Sequence, residues 1–327
     1  MEKILKVKDL KVHFPVKGGV FKATKGFVYA VDGVSFDVYT GETLGIVGET
    51  GCGKTTLGRT IVSLYRPTEG EIIFKDKNLN KLNKRDLLEL RKDFQMIFQD
   101  PFESLNSRHT VRYIIEEPFA IRAIGDSKWR KNKVLDLLDK VGLSRNVLDK
   151  FPHEFSGGQR QRIGIARAIA LNPALIVCDE PVSALDVSIQ SQILNLLMDL
   201  QKEFSITYIF ISHDLTVVRH VSDRVAVMYL GRLVEIADAD SIYSNPLHPY
   251  TMSLISAIPK VWGKAQEKRI ILQGNIPSAV FRPSGCFFHP RCPYATDLCQ
   301  REYPELKNYG DENNIHMAAC HYAKNDL

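Results

Sequence analysis

One stretch, Gly48-Glu49-Thr50-Gly51-Cys52-Gly53-Lys54-Thr55-Thr56, constrains this chain more than any other. It has the form G-x-x-x-x-G-K-T. An apolar run, Thr43 to Val47, precedes it and a helix-compatible run, Thr56 to Leu64, follows it. Strand, loop and helix in that order are the context in which such a loop binds phosphate. Gly48, Gly51 and Gly53 let successive backbone N–H groups turn toward phosphate oxygens, and the helix N-terminus adds positive potential. Lys54 is placed to reach the terminal phosphates and the Thr55 hydroxyl to ligate Mg²⁺. A glycine-rich turn holding Lys-Thr by coincidence would lack these flanks. The loop points to a nucleoside triphosphate and leaves open what its energy is used for. Cys52 lies among the same amides, where a thiol pKa could fall and oxidation could block nucleotide. The plainer reading is that any residue is tolerated there because the backbone does the work.

With 327 residues the chain can hold one large domain or two smaller ones. Hydrophobic residues make up 44% and charged residues 25%, which are globular values. A net charge of +5 is mild for this length and demands no nucleic-acid partner. No apolar run reaches the roughly 18 residues that a membrane span needs. Nor does the start, Met1-Glu2-Lys3-Ile4-Leu5, resemble a secretion signal. A cytosolic chain with reduced thiols is expected. Of six cysteines, Cys52 lies in the loop and Cys178 in an apolar run, while Cys286, Cys292, Cys299 and Cys320 cluster near the C-terminus.

Residues 5–14 and 28–38 read as strands, with Pro15 to Gly26 between them as a loop. After the loop helix, Glu71 to Phe74 and Met96 to Phe98 read as strands and Asp86 to Arg91 as a short helix. Apolar residues recur at helical spacing in Val111–Ala120 and Trp129–Val141, so residues 102–155 read as a mostly helical insertion. Ser156 is an N-cap for a helix that Asn172-Pro173 ends. Ala174–Cys178 and Thr207–Ile211 are continuous apolar runs of the kind buried on both faces of a parallel sheet. Helices are expected at Ile189–Phe204 and Leu215–Val221, and a hairpin over Val225–Ile236. This alternation predicts an α/β fold with a mainly parallel sheet. From about Ser241 prolines and the four clustered cysteines accumulate, which reads as a separate, loop-rich appendage.

Several residues at strand ends carry chemistry, because ligands in α/β folds bind at the carboxyl ends of strands. Asp179 can hold Mg²⁺ through water and Glu180 can polarise an attacking water. His213 ends another buried strand and is placed for a γ-phosphate, against the bland reading of a surface histidine. Gln99 follows a third apolar strand and could touch Mg²⁺ and the water, against the reading of an ordinary loop glutamine. Ser156-Gly157-Gly158-Gln159 puts two glycines at a helix N-terminus, a second phosphate-binding surface. One chain already has a complete cradle, so the second would serve another nucleotide, as in a head-to-tail pair of chains.

Together these stretches resemble the ABC-type ATPases over roughly residues 5–236. Gly48–Thr55 resembles the Walker A loop and Leu175–Asp179 the Walker B strand, followed by Glu180 as the base. Ser156–Gln159 resembles the signature motif, with Phe155 in place of the commoner leucine. Ser183-Ala184-Leu185-Asp186 resembles the D-loop, Gln99 the Q-loop and His213 the switch histidine. Phe14 is the better match to the adenine-stacking aromatic, with Tyr29 the other candidate. Residues 245–251 and 285–294 resemble the C-terminal extension of oligopeptide/dipeptide importer ATPases, and 162–167 with 180–186 resemble the F-type subunit more than the D-type. The resemblance implies a RecA-like core in residues 1–101 and 159–240, a helical subdomain in 102–158, and a cysteine-containing extension in 241–327. It implies a peripheral protein at the cytoplasmic face of the membrane that hydrolyses ATP with Mg²⁺. Its expected partners are a second, identical or homologous ATPase subunit, two permease subunits and, indirectly, an extracytoplasmic peptide-binding protein.

The four clustered cysteines are spaced C-x5-C-x6-C-x20-C. Zinc ribbons usually show tight C-x2-C pairs, which this lacks. Four thiolates can hold a [4Fe–4S] cluster, and the resemblance implies that cluster, with zinc and then unligated thiols as alternatives. A redox-sensing module is compatible with transport. Nickel complexes remain open as cargo beside peptides. A non-transport ABC ATPase acting on DNA or ribosomes would tend to carry a long coiled coil or a second cassette, and neither is present.

Overall fold

Five-residue runs without a polar face must be covered on both sides, and three of them set the architecture. Thr43–Val47, Leu175–Asp179 and Thr207–Ile211 are buried at every position. The computed structural model describes residues 2–18, 23–258, 270, 272, 274–311 and 315–323. Its strands are β1 (Lys3–Gly18), β2 (Ala23–Tyr39), β3 (Thr43–Val47), β4 (Glu69–Phe74), β5 (Lys77–Asn78), β6 (Phe94–Ile97), β7 (Leu175–Asp179), β8 (Thr207–Ile211), β9 (Arg224–Tyr229), β10 (Arg232–Asp238), β11 (Lys307–Asn308) and β12 (Met317–Ala318). The helices used below are α1 (Lys54–Ile61), α2 (Lys84–Leu90), α3 (Pro101–Ser104), α4 (Val111–Ile121), α5 (Ser127–Lys140), α6 (Gly157–Ile169), α7 (Val187–Phe204), α8 (Leu215–Val221), α9 (Ala239–Ser244) and α10 (Pro249–Ser256). The chain divides into two compact units, Met1–Lys81 with Ile211–Leu327, and Leu82–Phe210.

In the first unit, β2-β1-β4-β5 form an antiparallel sheet. A second set of strands runs β11-β12-β10-β9-β3. Within it β3 lies parallel to β9, from Leu44 opposite Arg224 to Val47 opposite Val227, and β10 turns back antiparallel. Helix α1 leaves the loop after β3 and buries Leu57 and Ile61. Asp32 of β2 is a buried carboxylate held by three partners. His13 Nε2 lies 3.0 Å away, Arg232 Nη2 donates at 2.8 Å and Arg282 Nη1 also donates. Burial alone would raise its pKa, but the hydrogen bonds from Arg232 and Arg282, and their charges, outweigh it and lower it to about 2.

The second unit contains β6 parallel to β7, from Phe94 opposite Leu175 to Ile97 opposite Cys178, with β8 on the other side of β7. Thr207 N–H donates to Ala174 O at 3.0 Å where β8 enters. Its helices start where their caps dictate. Thr110 caps α4 and Asp126 caps α5, each side chain accepting a first-turn N–H. Apolar residues at helical spacing are then buried, Val134 and Leu138 on α5 and Ile163, Ala166 and Ile169 on α6, and the two helices lie against one another. Among the described residues no helix is long and apolar enough to cross a membrane.

Two expectations need correction. The loop expected over Pro15 to Gly26 is strand up to Gly18 and from Ala23 on, with Pro15 opposite Phe27 and Gly18 opposite Ala23. The four residues between lie outside those described. Pro15 is tolerated because pairing of β1 with β4 ends at Lys11, so beyond it β1 is an edge on that side. The C-terminal region is loop-rich as expected, but it is not a separate appendage. Strand β12 pairs with β10, Met317 opposite Ile236 and Ala318 opposite Glu235. The fully buried Glu235 accepts the N–H groups of Leu247 and His248 at 2.7 and 2.9 Å and lies 2.7 Å from His316 Nε2. Burial pushes the His248 imidazole down to about 4. Sequence periodicity misses this because two-residue strands leave no pattern.

Asp32 supplies a pH test. A carboxylate whose pKa is lowered from 3.8 to about 2 by folding stabilises the fold fully above its unfolded value and loses that contribution as pH falls through its folded one. Thermal unfolding midpoints should fall more steeply for the native chain than for Asp32→Asn as pH drops from about 4 to about 2. Parallel curves would show that Asp32 is not held as a charged partner.

Candidate nucleotide site

The phosphate loop is fixed by close backbone approaches. A Cβ at Gly48, where φ is +153°, would lie 2.1 Å from Met228 O. One at Gly53, where φ is +105°, would lie 1.9 Å from Ala30 O. Both positions exclude every other residue by sterics as well as by backbone conformation. Lys54 is buried, and its Nζ donates to Gly48 O at 2.6 Å and Glu49 O at 3.2 Å. Helix α1 starts at Lys54 with Gly53 as its N-cap and no side-chain cap, so side chains do not compete for its first-turn N–H groups. Thr55 and Thr56 sit in that turn, and Thr50 and Gly51 form the exposed tip. Cys52 is buried and its carbonyl accepts Gly231 N–H at 2.9 Å. Burial pushes its thiol up, which speaks against an activated thiolate.

Sequence reasoning missed what holds Glu49. Arg291 donates to both its carboxylate oxygens, Nη1 to Oε2 at 2.6 Å and Nη2 to Oε1 at 2.9 Å. The Glu49 N–H donates to Tyr250 Oη at 2.8 Å. Both partners come from the C-terminal region, 201 and 242 residues on, and no local pattern announces them.

Also in the first unit, His213 follows β8 and is exposed, ahead of the Asp214 side chain that caps α8. Phe14 is exposed, with its ring edge against Tyr65. Tyr29 instead carries the Arg282 guanidinium 3.8 Å over its ring and His13 at its edge.

The second unit brings several other predicted residues together. Asp179 is the buried last residue of β7. Glu180 follows with φ of +45°, a left-handed conformation rare for a residue with a Cβ. Its carboxylate accepts from Gln99 Nε2 at 3.1 Å, and its carbonyl accepts from the Ser183 hydroxyl at 3.1 Å. Asp186 is the N-cap of α7, and Leu185 O accepts from Gln190 Nε2. At the start of α6, Ser156 Oγ accepts the Gln159 N–H while Gln159 Oε1 accepts the Ser156 N–H, a reciprocal capping box. A Cβ at Gly157 would come within 3.2 Å of Leu185, and one at Gly158 within 2.5 Å of Ile189 Cγ2. The Ser156–Gln159 turn therefore packs on the segment around Ala184 and Leu185.

Cys286, Cys292, Cys299 and Cys320 are free and converge on one cavity of about 20 Å³, with Phe288, His289 and His321 also in its wall. Burial pushes Cys286 up to about 12 and Cys292 up to about 11, and raises Cys320. Among the described residues no group of three or more His, Cys, Asp or Glu side chains has the arrangement of a metal site. Four thiols on one cavity make a donor set that suits a soft metal centre.

Comparison with known proteins now bears on this geometry. The ABC transporter family matches residues 31–183, and the C-terminal region of oligopeptide/dipeptide transporters matches residues 234–299. The oligopeptide transport ATP-binding protein AppF of Bacillus subtilis is 53% identical over 323 residues, 98% of this chain and 97% of its own. The dipeptide transport ATP-binding protein DppF of Escherichia coli is 47% identical, over 97% of this chain and 93% of its own. An ATP-binding cassette solved as a dimer in a post-hydrolysis state with ADP and phosphate is 29% identical with a TM-score of 0.64, covering 72% of this chain and 98% of that one. A component of an ABC transporter complex from Clostridium perfringens is 28% identical with the same TM-score of 0.64, covering 75% of this chain and 92% of that one. With a glycine-bound phosphate loop, an ABC ATPase fold and near-complete alignment to such relatives, the chain belongs to the ABC transporter ATP-binding proteins, in the oligopeptide/dipeptide transport family.

Proposed function

We propose that this chain hydrolyses ATP to drive import of dipeptides or oligopeptides through an ABC transporter, peripherally at the cytoplasmic face of the membrane. The observation that carries the reading is a phosphate loop whose Glu49 is bound by residues of a C-terminal region that itself matches peptide transporters. In the first unit, residues 48–56 would cradle the phosphates, with Lys54 exchanging loop carbonyls for phosphate oxygens and Thr55 on Mg²⁺. Phe14 is the better adenine platform, because Arg282 already covers a face of Tyr29. His213 would contact the γ-phosphate. In the second unit, Asp179 and Gln99 would hold Mg²⁺. Glu180 is the general base, aimed by the Gln99 amide and the strained turn.

The Ser156–Gln159 helix start would act on a partner chain's ATP. Ser156 accepts one N–H within its capping box and keeps its own O–H to donate to a phosphate. Residues 183–186, packed beside it, form the D-loop. Head-to-tail pairing with an identical or homologous ATPase would complete two composite sites. Two permease subunits, met by the helical subdomain 102–158, and an extracytoplasmic peptide-binding protein would complete the transporter. Residues 1–101 and 159–240 form the RecA-like core of this reading and 241–327 its extension.

Cys286, Cys292, Cys299 and Cys320 are proposed to hold a [4Fe–4S] cluster, which when bound would cross-link the segments that carry them. Support comes from four free thiols converging on one cavity. Burial disfavours the bare thiolate at Cys286, Cys292 and Cys320, so ligation would have to displace their protons.

Two measurements test this reading. Glu180→Gln in the reconstituted transporter should lower ATP turnover and peptide uptake by about 100-fold or more while ATP still binds. Unchanged turnover would remove Glu180 as the base. Protein purified without oxygen should be brown and contain about four iron and four sulfide per chain, lost in Cys292→Ser. Stoichiometric zinc with neither iron nor sulfide would contradict the cluster.

A further inference from the structure

Arg291 has no part in the chemistry described so far, yet its side chain is only 7% exposed and its guanidinium ends on the phosphate loop. The two parallel bonds to Glu49 use the planar fork that arginine has and lysine lacks. The fork is itself held in place. Arg291 closes the short turn His289–Arg291, whose N–H groups bond back to Cys286 O and Phe288 O. Phe288 is buried against Tyr229 at 5.3 Å and Tyr250 at 5.4 Å between ring centroids. Tyr250, fully buried, takes the Glu49 N–H on its hydroxyl. Thus Glu49 is tied at its backbone N–H and at its carboxylate, and both of these ties come from the C-terminal region. The carbonyl of the same Glu49 accepts from Lys54 Nζ.

We propose that Arg291, with Tyr250, is a positioning residue for ATP. It fixes the Glu49 end of the phosphate loop so that the loop amides and Lys54 are preset for phosphate. Without the clamp, part of the binding free energy would go into ordering the loop, so ATP affinity falls. The hydrogen bonds to the Glu49 carboxylate raise the Arg291 pKa further above its ordinary value, so the guanidinium keeps its charge. The inference rests on the phosphate loop being the ATP site.

The test is isothermal titration of the full chain with Mg-ATP. It compares the native chain with Arg291→Lys, Arg291→Ala, Glu49→Ala and the Glu49→Ala/Arg291→Ala double variant, with Lys54→Ala as loop control. Arg291→Ala should weaken ATP binding about tenfold, in line with loss of a charged hydrogen-bonded pair. Arg291→Lys should recover little of it. The double variant should bind no worse than Glu49→Ala alone, since the two residues act as one unit. In the assembled transporter the loss should appear as a raised KM for ATP with kcat nearly kept, which a general loss of folded protein would not produce. ATP affinity unchanged in Arg291→Ala, or effects of the two single substitutions that simply add, would overturn the proposal. If Arg291→Ala does not fold, native affinity in Arg291→Lys would overturn it equally. Failure of the native chain to bind ATP, or indifference to Lys54→Ala, would instead overturn the phosphate-loop reading beneath it.

Discussion

The approach of the phosphate loop to two backbone carbonyls is the constraint on which the rest depends. At Gly48 and Gly53 the loop lies against Met228 O of β9 and Ala30 O of β2, closer than any Cβ allows. Both glycines also hold positive φ, where other residues would cost on the order of 1–3 kcal/mol before any clash. The loop can adopt this path only if β2 and β9 already present those carbonyls. The buried strands are thus the precondition for phosphate binding, and the register of β3 on β9 aims the loop.

Two buried carboxylates keep that arrangement from shifting. Asp32 gathers Arg232 and Arg282, and Glu235 gathers the 247–248 backbone and His316. Each joins the C-terminal region to a strand of the first unit. Removing one partner of such a buried charge typically costs about 3–5 kcal/mol, since the other is left uncompensated. The extension is therefore part of the body that shapes the loop, and the Arg291–Glu49 pair is the point where it reaches the loop itself.

Local patterns made much of this legible. The phosphate loop, Ser156–Gln159 and Asp179–Glu180 are short runs in which residue type and neighbours carry the signal. Helices α4 to α7 are readable from apolar spacing and caps; α4 starts at Val111 as expected and Ser156 caps α6, while α5 and α7 each start two residues before the apolar spacing does. What stayed hidden depends on distant partners. Glu49 fills an x position of the G-x-x-x-x-G-K-T pattern, and nothing near it in sequence announces Arg291, 242 residues away. The outer hairpin of β1 and β2 is exposed on its free edge and lost its alternation. The pairing of β12 with β10 spans two residues and leaves no trace in sequence. Cys52 looked electrostatically favoured among amides, yet burial dominates because the loop packs its thiol inward.

The central claim is that phosphate loop and C-terminal region respond to nucleotide as one body. Hydrogen–deuterium exchange of the full chain with and without Mg-ATP tests it most directly. Residues 48–56 and the turn 286–292 should gain protection together at the same ATP concentration. Protection confined to 48–56, with 286–292 unchanged at saturating ATP, would contradict it.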